Sequence, residues 1–171
     1  MWSQEVKPIL LYNSGTWALT KKEEESLNSF HRQKLRRVLN VKYPAHISNE
    51  QVYRQTGEDA LSLEVLRNRW KSLGHVLRSH PETPAQKAMN YYFEKSNAKK
   101  FRGRPVITLP VCLHNEITML KKHNTFKNRY SSITQFKSIH DLKSLRTLAQ
   151  ERQTWTALIN DIYVAAKAEK N

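Results

Sequence analysis

Apolar side chains recur at intervals of three and four residues along most of this sequence. The pattern is clearest between residues 61 and 79, where one side of a helical wheel holds Leu63, Leu66, Trp70, Leu73 and Leu77. Helices bring such positions onto one face, whereas strands alternate apolar and polar residues with a period of two. No segment alternates like a strand, and the sequence contains no internal repeat. The sequence therefore predicts an all-α fold with about six helices in a compact assembly.

Two capping boxes indicate where helices begin. Thr20 and Glu23 have the spacing in which the hydroxyl accepts from the amide of the third helical residue, while the carboxylate accepts from the amide of the capping residue. Ser48 and Gln51 repeat this spacing. We therefore expect one helix over 20–39 and a second, shorter helix after Ser48.

The expected helix over 20–39 has an apolar face and a basic face. With His31 and Lys34 on the same broad side, its apolar positions are Leu27, Phe30, Leu35 and Val38. Arg32 and Arg36 fall on the opposite side, where they would repel each other unless an anion lies across them. The short helix that follows should end at Gly57.

The C-terminal part of the chain predicts one long amphipathic helix that starts near Asp141. Its apolar positions continue for more than six turns and are Leu142, Leu145, Ala149, Trp155, Ile159, Ile162 and Ala166. Arg152 falls within this stripe, where burial of an unpaired charge is costly. We expect Arg152 to extend into solvent or to pair with an acid.

Proline, glycine and charge divide the chain into four segments. We expect a helical segment over 1–43, a helical connector over 44–94, a basic loop over 95–107 and a C-terminal helical segment over 108–171. Pro44 ends the first segment. The loop contains the stretch KKFRGRPV, whose Gly and Pro oppose regular helix.

The charge balance points to a polyanionic partner. The chain has 29 Lys and Arg residues against 15 Asp and Glu residues, which gives a formal net charge of +14. Cations that neutralise phosphates release condensed counterions, and this release favours binding. RNA or DNA is therefore the first candidate partner, and an anionic membrane surface is the second.

The sequence also limits where the chain resides. Leaving Ala aside, the longest uninterrupted aliphatic and aromatic run is Ile9 to Tyr12, far below the roughly 20 residues that span a bilayer. Cys112 is the only cysteine, so no internal disulfide can form, and no stretch resembles a signal peptide. We expect a protein that does not enter a membrane and resides inside the cell, in the nucleus.

Catalytic and metal-binding patterns are missing from the sequence. None of the 15 carboxylates forms an Asp-Asp or Asp-x-Asp pair for two metal ions, and there is no Gly-rich phosphate loop. His75 and His80 are five residues apart, and Cys112 and His114 are two apart, which is unlike zinc-finger spacing. We expect no catalytic residue, no metal site and no cofactor, so this chain alone should not be an enzyme.

Three groups of basic residues are candidates for phosphate contact. They are Arg32, Lys34, Arg36 and Arg37 on the first long helix, Arg67, Lys71, His75 and Arg78 on the helix over 61–79, and Lys99, Lys100, Arg102 and Arg104 in the loop. The spacings of four, four and three in the second group predict one solvent-facing stripe. The alternative is a hydrated face held by local pairs, because Glu64 begins the stripe. For the loop, the alternative is an extended, hydrated linker.

The stretch RGRP also looks like the core of an AT-hook, in which two arginines lie along a narrow A·T minor groove. An AT-hook has Pro before the first Arg, whereas this chain has Phe101. The match is therefore partial.

Four collinear stretches resemble the region that follows the polymerase core in reverse transcriptases of non-long-terminal-repeat (LINE-type) retrotransposons. They are ILLYNSGTWALTKKEEESLNSFHRQKLRRVLNV, RWKSLGHVLR, FRGRP and LRTLAQERQTW, and they are distributed over most of the chain, from residue 9 to residue 155. An apolar Leu-Leu-Tyr turn ending in Trp precedes a helix with Leu-Arg-Arg, then Trp-x-x-Leu-Gly-His-x-Leu-Arg, then Gly-Arg-Pro. This order is more specific than any single piece.

The resemblance implies that residues 1–43 correspond to the distal thumb and the remainder to the helical connector after it. In such elements these parts hold template RNA and target DNA during target-primed reverse transcription. The palm carboxylates lie upstream in the family and have no counterpart here, and the Cys/His knuckle of some members is missing. The resemblance therefore implies a non-catalytic nucleic-acid-binding module, with upstream polymerase domains as partners if it is fused to them. A fragment and a degenerate reading frame both stay open.

Two other interpretations remain. The chain could be a sequence-preferring DNA-binding protein, with the 61–79 helix in the major groove or the Gly-Arg-Pro loop in the minor groove. It could instead be a structural remnant without activity, whose apolar patch from Ile9 to Trp17 once packed on missing domains.

Overall fold

All regular structure in the described part of the chain is helical, which confirms the predicted all-α fold. The computed structural model describes residues 5–42, 44–95, 107–123, 133 and 139–170. Within these ranges, eight α-helices and one short 3-10 turn at Ser14–Thr16 occur, against about six helices expected. The helices are α1 (Lys7–Leu10), α2 (Lys21–Val38), α3 (Asn49–Thr56), α4 (Leu61–Arg78), α5 (Pro84–Lys95), α6 (Leu109–Lys122), α7 (Ile139–Gln150) and α8 (Arg152–Lys170).

Helix α4 lies at the centre of the molecule and packs against α2, α5, α7, α8 and the 3-10 turn. Ten of its 18 residues are buried. The five apolar positions predicted to form its inner face are all at most 6% exposed. Each such side chain contributes about 1.5–3 kcal/mol through burial, so α4 organises the core.

The predicted helix starts are confirmed. Glu23 donates its backbone amide to Thr20 Oγ1 at 3.2 Å, and Thr20 returns its own amide to Glu23 Oε2 at 2.7 Å. Ser48 and Gln51 form the same reciprocal pair at 3.1 and 3.0 Å. Helix α3 ends at Gly57, whose φ of 67° lies in the left-handed region that glycine adopts readily.

The prediction of one long C-terminal helix is wrong, because the chain breaks at Glu151 between α7 and α8. The seven predicted apolar residues are nevertheless all buried, at most 5% exposed. A continuous helix would have carried Arg152 into the core with them. The break instead places Arg152 in solvent at the first position of α8, while both apolar stripes stay buried.

The predicted inner face of α2 is also partly wrong. Phe30 and Val38 are 40% and 67% exposed, and the buried residues are Asn28, His31 and Leu35. Asn28 exchanges two hydrogen bonds with Ser62 of α4, at 2.9 and 3.0 Å. A polar side chain with both groups satisfied can occupy a buried position that the apolar pattern assigns elsewhere.

Two tryptophans join α4 to α8. The Trp70 and Trp155 rings lie 5.6 Å apart, centre to centre, and Trp155 Nε1 donates to the backbone oxygen of Trp70 at 3.1 Å. Gly74 permits this contact, since a Cβ at that position would overlap the Trp155 indole. Both indoles are at most 2% exposed, so this pair is part of the main core.

Candidate nucleic-acid interface

Lys71 and His75 lie one helical turn apart on the outer side of α4, and both are exposed. Within the described part of the chain, neither has an ion-pair or hydrogen-bond partner. We call this pair the α4 ridge. About 6 Å of helix rise separates the two positions, which is comparable to the separation of neighbouring phosphates along one strand.

The four-residue stripe predicted on this helix is solvent-facing only at the ridge. Arg67 and Arg78 are half-buried. The Arg67 guanidinium stacks 4.0 Å from the centre of the Tyr163 ring and lies 3.3 Å from Glu64. Arg78 donates to the backbone oxygen of Ala149 at 3.2 Å. Both residues therefore connect α4 to α7 and α8, because their partners lie on those helices or on α4 itself.

The only acid on α4 is already neutralised. Glu64 lies 3.3 Å from Arg67 and 3.7 Å from the Lys7 ammonium, which also pairs with Glu58 at 2.9 Å. The alternative reading of the stripe as a hydrated face with local pairs thus fits its Arg67 end. It does not fit Lys71 and His75, which are exposed and have no ion-pair partner in the described ranges.

The four predicted residues of α2 divide in a similar way. Arg32 pairs with Glu25 at 2.5 Å, and Arg36 donates to Asn49 Oδ1 at 2.8 Å. The expected mutual repulsion of these arginines is therefore relieved by partners on α2 and α3. Lys34 lies 5.1 Å from the centre of the Phe30 ring. Arg37 is exposed, and within the described ranges its guanidinium has no hydrogen-bond or ion-pair partner.

The third predicted group lies outside the described residues. It consists of Lys99, Lys100, Arg102 and Arg104 in the basic loop. Its contribution to phosphate contact stays a prediction from the sequence.

A groove of about 1100 Å³ lies between α2, α3, α4, α6 and α8. Its described lining includes seven acids, which are Glu24, Glu25, Glu50, Glu58, Asp59, Glu116 and Glu169. Five cations also line it, and they are Lys21, Arg32, Arg54, Arg69 and Lys167. Acids outnumber cations here although the whole chain carries +14. The groove is therefore a poor receptor for phosphate.

A buried ion pair forms part of the groove wall. Arg69 of α4 pairs with Glu116 of α6, which also accepts from Trp70 Nε1 at 2.7 Å. Arg69 donates in addition to the backbone oxygen of Trp17 at 2.9 Å. Burial raises the pKa of Glu116 to about 7, although the Arg69 charge opposes this shift. The sequence analysis did not predict this network. Arg69 falls near Leu66 and Leu73 on the helical wheel, but a charged residue is not expected to be buried unless its partner is known.

Other chemistry finds little support in the described residues. No group of three or more His, Cys, Asp and Glu side chains in these ranges could hold a metal ion. Cys112 is buried, and burial raises the pKa of its thiol, which keeps it protonated. None of the described helices is both long and apolar enough to traverse a bilayer.

Comparisons with known proteins give this chain no relative. No family model, no curated protein and no solved structure matches it. The retrotransposon resemblance and the function that it implies therefore stay predictions, and the argument for function depends on the geometry of the described residues.

Proposed function

We propose that this chain binds RNA or DNA through the phosphate backbone and catalyses no reaction by itself. The residues proposed to contact phosphate are Lys71 and His75 of the α4 ridge, exposed Arg37, and the cations of the basic loop, which lies outside the described residues. The single observation that supports this proposal most is the pair of exposed side chains at Lys71 and His75, an ammonium and an imidazole without partners in the described ranges, on a helix whose only acid is neutralised.

Backbone contact fits α4 better than insertion of the helix into a major groove. A recognition helix has to protrude so that its side chains reach the base edges. Ten of the 18 residues of α4 are buried, and the helix is flanked by the 3-10 turn on one side and by α8 on the other. Only a narrow strip of α4 remains exposed, which suits contact with one strand of phosphates.

The proposal includes a relationship to LINE-type reverse transcriptases, as the four collinear stretches suggest. In that setting the chain would hold template RNA or target DNA for upstream polymerase domains. The buried pair of Trp70 and Gly74, both within the stretch RWKSLGHVLR, gives a structural reason for part of that motif. Lys71 and His75, which are exposed positions of the same stretch, would then carry the binding.

The salt dependence of affinity tests this proposal. Anisotropy of labelled RNA, single-stranded DNA and duplex DNA should show binding that weakens steeply between about 50 and 200 mM salt. Replacing Lys71 and His75 with Gln should reduce the slope of log K against log salt by about 1 to 2 on duplex DNA, since each lost contact contributes about 0.9.

Lys87→Gln is the matched control. Lys87 is also exposed, but it already pairs with Glu82 at 2.7 Å. The control removes one positive charge and leaves the ridge intact, so its slope should stay at the wild-type value. Equal slopes for the ridge variant and the control would contradict the proposal.

A further inference from the structure

Tyr12 is the most exposed of the large hydrophobic residues in the described ranges, at 82%. It lies in the short connection between α1 and the 3-10 turn. A ring exposed to this degree gains almost nothing from packing within the chain.

The segment that carries Tyr12 is fixed to α4. Asn68 Nδ2 donates to Ser14 Oγ at 2.9 Å, and Ser14 is only 1% exposed. Gly15 approaches α4 so closely that a Cβ there would overlap Ser72 Oγ and the backbone oxygen of Asn68. The Tyr12 backbone is therefore held against one flank of α4.

This flank adjoins the ridge. At about 100° per residue, His75 is about 20° from Asn68 around the helix, and Lys71 is about 60° from it. Tyr12 precedes Gly15 by three residues, so its backbone lies within about 11 Å of the contact with Ser72. The segment that carries the exposed Tyr12 ring thus adjoins the part of α4 that carries exposed Lys71 and His75.

We infer that Tyr12 is a stacking platform for an unpaired base, on a single strand whose phosphates contact Lys71 and His75. A base in a duplex is covered by its neighbours, whereas each base of a single strand offers an open face to an aromatic ring. The ligand is therefore single-stranded RNA or DNA in preference to duplex. This inference rests on the proposed function, to which it adds the class of nucleic acid.

Adjacent Ile9 provides the sharpest control. Ile9 is 78% exposed on the same segment, but its side chain has no π-face. A protein partner that covers this segment by apolar contact would use Ile9 and Tyr12 alike. A base would stack on Tyr12 and would be nearly indifferent to Ile9.

The experiment measures affinity for single-stranded DNA, single-stranded RNA and duplex DNA with Tyr12→Ala, Tyr12→Phe, Tyr12→Leu and Ile9→Ala. Tyr12→Ala and Tyr12→Leu should weaken single-strand binding between about fivefold and 100-fold, with an unchanged salt slope, because stacking releases no counterions. Tyr12→Phe and Ile9→Ala should bind like the wild type. Duplex affinity should be unchanged in all four variants.

Unchanged single-strand affinity in Tyr12→Ala would overturn the inference. Wild-type affinity in Tyr12→Leu, or an equal loss in Ile9→Ala, would also overturn it, since apolar contact would then explain the patch. The proposed function fails separately, when the wild-type chain binds no nucleic acid or when the ridge variant keeps its salt slope.

Discussion

The groove and the ridge lie on opposite faces of α4, and they differ in both shape and charge. Leu66 lines the groove and His75 lies on the ridge, and their separation of nine positions corresponds to about 180° around the helix. The groove is a concavity of about 1100 Å³, yet acids outnumber cations in its described lining by seven to five. The ridge consists of exposed side chains, and the one acid on α4 is already paired.

This difference teaches that shape and charge can identify different candidate sites in one molecule. Concavity normally favours the groove, because small ligands bind where surfaces enclose them. A polyanion needs little enclosure, since its attraction to cations acts over a screening length of about 8–10 Å in physiological salt. For a nucleic acid the sign of the local field therefore outweighs the depth of the surface.

The largest effect on binding should come from the basic loop. Replacing Lys99, Lys100, Arg102 and Arg104 with Gln should reduce the salt slope on duplex DNA by as much as about 3.6, since each lost contact contributes about 0.9. The same titrations that test the ridge measure it. A slope equal to that of the wild type would show that the loop is only a linker. The difference in phosphate binding between groove and ridge would then depend on Lys71 and His75 alone.

The groove wall should matter more for stability than the ridge. Glu116→Ala leaves the Arg69 guanidinium buried without its carboxylate, which should lower the free energy of unfolding by about 3–5 kcal/mol. Lys71→Ala removes an exposed side chain and should change it by no more than about 0.5 kcal/mol. Guanidinium chloride unfolding compares the two. Similar losses would mean that the ridge is also structural.

The pH dependence of stability should reveal the buried carboxyl. Because burial raises the pKa of Glu116 from 4.5 to about 7, the folded state binds more protons than the unfolded state between these values. Stability from this group is therefore present below pH 4.5 and is lost as the pH rises towards 7, by at most about 3 kcal/mol. Glu116→Gln should remove this decline in denaturant unfolding measured at pH 5, 6 and 7.5, roughly spanning the transition. A variant that keeps the decline would assign it to another group.

The smallest effect should come from exposed acids of the groove. Glu50 of α3 and Glu169 of α8 are exposed and line the groove, which lies against the face of α4 opposite the ridge. Glu50→Gln and Glu169→Gln should leave the salt slope unchanged, because no phosphate is displaced. Anisotropy titrations of labelled nucleic acid compare the salt slopes of these two variants with that of the ridge variant. A large change in slope would place nucleic acid in the groove and reverse the contrast.

The sequence predicted the fold well where apolar residues dominate. The inner faces of α4 and of the C-terminal region are formed by the residues that periodicity selects, since burial of large side chains determines which face turns inward. The capping boxes are equally local, because each depends on two residues three apart. Such features can be read from the sequence before any tertiary contact is known.

Partners far apart in sequence could not be predicted. Asn28 occupies the buried face of α2 because Ser62, 34 residues away, satisfies its amide. Arg67 stacks on the ring of Tyr163 and so does not face solvent with the rest of the predicted stripe, and Arg69 is buried with Glu116. In each case a pairing that the chain makes only when folded decides the position.

The contact between Trp70 and Trp155 also supplies an optical probe. Two indoles held 5.6 Å apart in a fixed orientation are dissymmetric chromophores, so they should give a near-ultraviolet circular dichroism signal that vanishes when the packing is lost. Both indoles are buried in the core, whereas the ridge side chains are exposed. Loss of folding and loss of binding can therefore be followed separately in the same sample, without any label on the protein.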